Sequence, residues 1–182
     1  MLLYDYDLFP ERTLFAIVIC MTSFRQWHDD DMHFHVEQNL CFAQCNAQHK
    51  ISLSELLKIT SDAAVEDYRQ KGMDWDFLAA HNISILVSRQ SFRFHKMPQA
   101  NQHITVHTWE EKPQALQLSR IYHITDTDTQ ELLVSASSFW ILVDIKTRRI
   151  IRTKDFTLRS EPQVQTVQDC LEAGKINAPQ NM

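Results

Sequence analysis

Side chains able to move a proton or attack a carbonyl gather in three places in this 182-residue sequence. The first is Cys45-Asn46-Ala47-Gln48-His49, just ahead of Ser52-Leu53-Ser54-Glu55. A thiol, an amide and an imidazole are the parts of a Cys–His–Asn nucleophilic site. Such sites form by meeting in space, so adjacency in sequence is poor evidence for one. Asn46 can orient a water or donate to an oxyanion but cannot act as a base, and the competing expectation is a loop residue bonding its own backbone. The second place is Asp62 and Glu66, carboxylates on one helix face, for which a solvated surface is the competing expectation. The third is the set of nine histidines. His33 and His35 share a strand face, as do His103 and His107, the latter two roughly 13 Å apart. No carboxylate or cysteine stands at ligand spacing beside them, so no metal site and no cofactor is expected.

The elements that must carry these groups are marked by caps and periodicity. Ser52 and Glu55 form a capping box, the hydroxyl aimed at the N3 amide and the carboxylate reaching back. The helix they open has Leu53, Leu56, Leu57, Thr60, Ala64 and Tyr68 on one stripe and ends at Gly72, a C′ glycine. Free amides at its start, Ser52, Leu53 and Ser54, can polarise a carbonyl. Asp62 falls opposite the stripe with Glu55 and Glu66, on a solvated face unless a partner subunit covers it. Asp67 lies nearer the stripe and needs a partner, Arg120 or Arg89, as a structural ion pair.

Before the helix, Phe34, Val36, Leu40 and Phe42 alternate with polar residues as a strand with one buried face, continuing through Cys41 and Cys45. After it the chain is nearly all strand. Ile83, Ile85 and Val87 alternate, and Phe92 and Phe94 resume on the other parity, which predicts a bulge near residues 88–91. Ile104, Val106 and Thr108 make the next strand. Leu116, Leu118, Tyr122 and Ile124 then share a face with Arg120. Residues 132–143 are apolar on both parities, as in a central strand covered on both sides. One helix and a sheet large enough to wrap it define an α+β hot-dog architecture.

Composition removes several classes of function. The chain has 18 Lys+Arg against 23 Asp+Glu and 44% apolar residues, a soluble globular balance with no electrostatic reason to bind nucleic acid or an anionic membrane. Its two glycines, Gly72 and Gly174, leave no glycine-dependent phosphate motif. The apolar run from Leu14 to Met21 is far short of the ~20 residues of a membrane helix and lacks the basic flank of a signal peptide. Four cysteines without a C-x-x-C pair read as reduced thiols of a cytoplasmic protein. Three regions follow: a loosely packed extension over residues 1–32 with periodic structure starting only after Met32, a domain over 33–152, and a polar tail over 153–182 with a short helix near 164–173.

From Phe34 to Arg152 the sequence resembles the first hot-dog domain of the acyl-ACP thioesterase family. The resemblance lies in Leu56–Gly72 with the Trp/Phe-containing turn after it, Leu86-Val87-Ser88-Arg89, Ile104-Thr105-Val106-His107-Thr108-Trp109, and Ser138-Phe139-Trp140-Ile141-Leu142-Val143-Asp144 followed by Thr147-Arg148-Arg149. It implies hydrolysis of an acyl thioester carried on acyl carrier protein or CoA, with release of a fatty acid. The family pairs two hot-dog domains and keeps its catalytic Asp/Asn–His motif in the second, so a homodimer is expected to replace that domain here. Asn46 stands where hot-dog thioesterases usually have aspartate, and Lys50 where single-domain relatives often have histidine. The expected site is Asn46 and His49 with Asp62 and Glu66 of the partner copy. Ser52, Leu53 and Ser54 would contact substrate, and Trp75, Phe92 and Trp140 would line the acyl tunnel. The alternative is a non-catalytic acyl-binding half-domain.

Overall fold

Ser52 opens the long helix as its cap: the hydroxyl accepts from the Glu55 amide at 3.3 Å, and helix α1 runs Leu53–Gln70. The computed structural model describes residues 24–158. Glu55 does not reach back as a capping box requires; its carboxylate takes the Lys58 ammonium at 2.5 Å. Past the C-cap Lys71, Gly72 adopts φ +79°, a conformation glycine enters without a Cβ penalty. The Met73 amide then bonds the Tyr68 carbonyl and the Gly72 amide the Arg69 carbonyl, the paired bonds of a Schellman stop. The buried stripe is Leu56, Ile59, Thr60, Ala63, Ala64, Asp67 and Tyr68. Leu53 and Leu57, expected on it, are exposed, so the buried arc is centred further toward Ile59 and Ala63.

The sheet has seven strands with every pair antiparallel: β1 (Arg25–His28), β2 (Phe34–Asn39), β3 (Ile83–Phe94), β4 (His103–Glu110), β5 (Leu118–Asp126), β6 (Leu132–Asp144) and β7 (Ile150–Ile151). Their order is β1-β2-β4-β5-β6-β3, with β7 also on β6. Helix α1 packs on one face, where Phe34, Val36, Ile104, Val106, Leu118, Tyr122, Ile124, Val134, Ala136, Trp140 and Leu142 join its stripe in one core. Each fully buried aliphatic side chain there contributes about 1.5–3 kcal/mol. The predicted bulge is present as a register shift between Val87 and Arg89, which turns the face of β3 over.

Three further expectations need correction. Regular structure starts before Met32, because Arg25–His28 pairs with Phe34–Glu37 as an edge strand. The strand after Phe34 stops at Asn39. Residues Phe42–Gln44 form a 3-10 turn, held by the Cys41 amide donating to Gln44 Oε1 at 2.8 Å, so Cys41 and Cys45 do not share a strand. The turn after α1 is a second helix, α2 (Trp75–Ala80), capped by Asp74, whose carboxylate accepts from the Phe77 amide at 2.8 Å. The expected helix over 164–173 and most of the N-terminal extension lie outside the described residues.

Candidate functional site

A groove of about 440 Å³ runs between α1 and the strands β1 and β2. Its apolar lining is Phe24, Val36, Val106, Ile59, Ala63 and Val65; the helix side adds Glu55, Lys58, Asp62 and Glu66, and the turn before the helix adds Gln44. Strands β1 and β2 contribute Gln26 and Gln38. Gln38 continues the inward parity of Phe34 and Val36, so an amide occupies a position where the alternation calls for an apolar residue. Its Nε2 is buried and has no hydrogen-bond partner in the described structure. A buried donor left unpaired costs about 1–3 kcal/mol, so this group is set for an acceptor entering the groove.

The two carboxylates singled out from sequence both face this groove. Asp62 is exposed at its rim. Glu66 is half-buried and held by Arg69, with Nε at 2.7 Å and Nη2 at 2.6 Å, and by Gln70 Nε2 at 2.9 Å. The Arg69 bonds keep its carboxyl below the usual range, outweighing the effect of burial. Glu66 is thus an ionised group committed to a guanidinium, whereas Asp62 lies exposed at the rim.

The loop residues sit elsewhere. Asn46 is exposed, and its Oδ1 accepts from the amides of Gln48 at 2.9 Å and Lys50 at 3.2 Å, closing its own turn. His49 takes a positive φ of 60° and leans on the Phe42 ring, 5.8 Å between centroids. Burial pushes the neighbouring Cys45 thiol up, which disfavours the thiolate a Cys–His–Asn nucleophile needs. Ser52 bonds the Ser54 hydroxyl at 3.0 Å, and Leu53 and Ser54 are exposed at the start of α1. Of the expected tunnel aromatics, Trp75 is 76% exposed. Phe92 packs on the core, and Trp140 lies within it with its indole donating to Ser138 Oγ at 2.6 Å. None of these loop or aromatic side chains lines the groove.

Asp67 has the partner expected of it. Arg120 Nη2 donates to Asp67 Oδ2 at 2.7 Å, His28 Nε2 and Lys71 Nζ each lie 2.8 Å from Oδ1, and Arg120 stacks over the Tyr68 ring. Tyr68 in turn bonds Glu110. Arg89, the other candidate, instead bonds Gln117 and covers Phe139. The Asp67–Arg120 pair ties the helix to the inner face of the sheet at the end of the groove away from Ser52.

A sequence model of the acyl-ACP thioesterase N-terminal domain matches residues 31–159. The sheet and central helix are those of the hot-dog fold. The chain belongs to the acyl-ACP thioesterase family, as a match to that family's N-terminal domain. Among solved structures it is similar to an acyl-ACP thioesterase from Bacteroides thetaiotaomicron (TM-score 0.73, 16% identity, covering 81% of this chain and 60% of that one). It is similar also to the 12:0-ACP thioesterase from Umbellularia californica (TM-score 0.66, 17% identity, 80% and 60% covered). A DHNA-CoA thioesterase from Staphylococcus aureus shares the fold at TM-score 0.62 and 18% identity, with 69% and 84% covered. The chain therefore spans about three fifths of the length of the acyl-ACP thioesterases it matches. No curated protein sequence matches it. No described helix is long and apolar enough to cross a membrane.

Proposed function

We propose that the chain is an acyl-thioester hydrolase acting on acyl-ACP or acyl-CoA, releasing free fatty acid in the cytoplasm as part of fatty acid metabolism. The observation that carries this reading is the groove between α1 and β2: an apolar lining for an acyl chain, an unpaired buried amide at Gln38 for a carbonyl oxygen, and a carboxylate rim. In this mechanism Gln38 polarises the thioester carbonyl and Asp62 draws a proton from the attacking water. Glu66, fixed by Arg69, keeps the rim charged. The thiolate of the carrier leaves and takes up the proton.

The active form is a homodimer. Strand β3 closes the sheet on its outer side and exposes Leu86, Val87 and Phe94 along twelve residues of edge. A long apolar edge of this kind pairs with another strand or aggregates. A second copy paired there supplies the second hot-dog unit. Asn46, with its carbonyl oxygen already committed within its own turn, favours a second reading: a non-catalytic acyl-binding half that needs a separate catalytic partner.

Thiol release from a panel of acyl-ACP and acyl-CoA substrates separates the two. The hydrolase reading predicts turnover by the folded chain that falls sharply in Asp62→Ala. Bound acyl carrier with no turnover on any substrate supports the acyl-binding half and retires the hydrolase.

A further inference from the structure

The face of the sheet turned away from α1 carries a row of imidazoles that the groove does not use. Strand register sets His35 directly opposite His107 and His107 opposite His123. The His35 ring is stacked between Trp27 and His107, at 4.9 and 4.2 Å between centroids and 8° from parallel with each. His33 joins from the start of β2, its Nδ1 2.9 Å from His107 Nε2. The turn between β1 and β2 adds Asp29. Its Oδ1 accepts from the amides of Asp31 and His33, at 3.1 and 2.9 Å, which orients the carboxylate. Oδ2 then lies 2.8 Å from His35 Nε2 and 4.0 Å from both His33 Nδ1 and His107 Nε2.

We propose that Asp29, His35 and His107 bind a divalent transition-metal ion of the zinc class. The ligand atoms of Asp29, His35 and His107 all lie within 4.8 Å of one another. An ion with bonds of about 2.0–2.2 Å holds neighbouring ligand atoms about 3.0–3.5 Å apart, between the short and long separations seen here. The two contacts of 4.0 Å are too long for hydrogen bonds, and a shared ion requires the His35 and His107 rings, now stacked 8° from parallel, to rotate until both lone pairs meet it. Two imidazole nitrogens and one carboxylate oxygen suit zinc, cobalt, nickel or copper, whereas magnesium and calcium prefer all-oxygen sites. The donors come from the β1–β2 turn, β2 and β4, so the ion clasps the edge strand β1 onto the sheet. This site lies across the sheet from the groove and does not depend on the proposed hydrolase activity.

The test uses the full chain without an affinity tag, stripped with chelator and titrated with Co²⁺ while visible absorption is followed, then with Zn²⁺ in competition. One equivalent should bind with ligand-field bands of a nitrogen–oxygen site and raise the melting midpoint. His107→Gln and His35→Gln should each weaken binding at least about a hundredfold, the upper end of what loss of an outer-shell partner costs. Asp29→Asn keeps the Oδ1 acceptor of the turn, so it should fold as wild type and still bind more weakly; it serves if the histidine variants unfold. His81→Gln, on α2's C-cap, should bind as wild type. No binding by the folded chain, or binding unchanged in Asp29→Asn and in the folded histidine variants, would overturn the proposal.

Discussion

Arg120 Nη2 stands 2.7 Å from Asp67 Oδ2 with their side chains 2% and 1% exposed, joining the inner face of β5 to the core side of α1. Each charge is desolvated and has the other as its closest partner, with Lys71 and His28 also on Asp67 and Glu110 3.5 Å from Arg120. Asp67→Ala leaves Arg120 buried without its closest carboxylate and is expected to cost about 3–5 kcal/mol in urea unfolding at pH 7. The double variant Asp67→Leu/Arg120→Met should recover most of that loss, and a double-mutant cycle measures the coupling. Strictly additive losses would contradict a coupled pair.

The same carboxyl sets an acid limit. Burial raises Asp67, and the charges of Arg120 and Lys71 outweigh it, leaving its pKa below 3.8. The unfolded chain takes up this proton at higher pH than the folded one does. Its contribution to stability is therefore full above about pH 4 and is lost as the pH falls through the lower folded value. Urea midpoints measured down to pH 2.5 should show the drop in wild type and a smaller one in Asp67→Asn.

Gln38 couples stability to turnover in opposite directions. Its buried Nε2 lacks a partner, so Gln38→Met should raise stability by about 1 kcal/mol. If the amide polarises the substrate carbonyl, the same change should lower kcat by about a hundredfold. Thermal unfolding and thiol release on one preparation read both effects.

Gly72 tests the helix stop on its own. No heavy atom lies within 4 Å of where its Cβ would stand, so Gly72→Ala meets only the backbone penalty of φ +79°. A loss of about 1 kcal/mol is expected. A larger loss would point to a side-chain clash that the geometry lacks.

Charge on the β3 edge should decide assembly. Val87→Lys places an ammonium in the middle of the exposed strand, where pairing with a second copy would bury it. Light scattering should give a dimer for wild type and a monomer for this variant. A wild-type monomer would remove the shared-site arrangement.

The alternation of Ile83, Ile85 and Val87, then of Phe92 and Phe94, carries both strand β3 and its bulge, because Ile83, Ile85 and Phe92 pack partly buried against the core and that parity survives in the sequence. Gly72 and Ser52 mark the helix ends for equally local reasons. Strand β1 leaves no such trace. Its inward residues are Gln26 and His28, which bond Gln70 and Asp67, so an edge strand satisfied by polar partners has no hydrophobic period to read. The Asp29–His35–His107 cluster is hidden for a different reason: a turn and two strands distant in sequence supply it, and only the register of β2 on β4 brings them together. Gln38 breaks the apolar parity of Phe34, Val36 and Leu40, but nothing in the sequence marks that break as functional. That its amide would lack a partner depends on what α1 sets across the groove.

Photo-crosslinking with a non-hydrolysable acyl carrier analogue, its acyl chain bearing a photoreactive group, tests the central claim most directly. Mass-spectrometric mapping should find adducts on Val36, Ile59, Ala63 and Val106, suppressed by excess natural acyl-ACP. Adducts confined to the β3 edge or the outer face of the sheet would contradict an acyl site between α1 and β2.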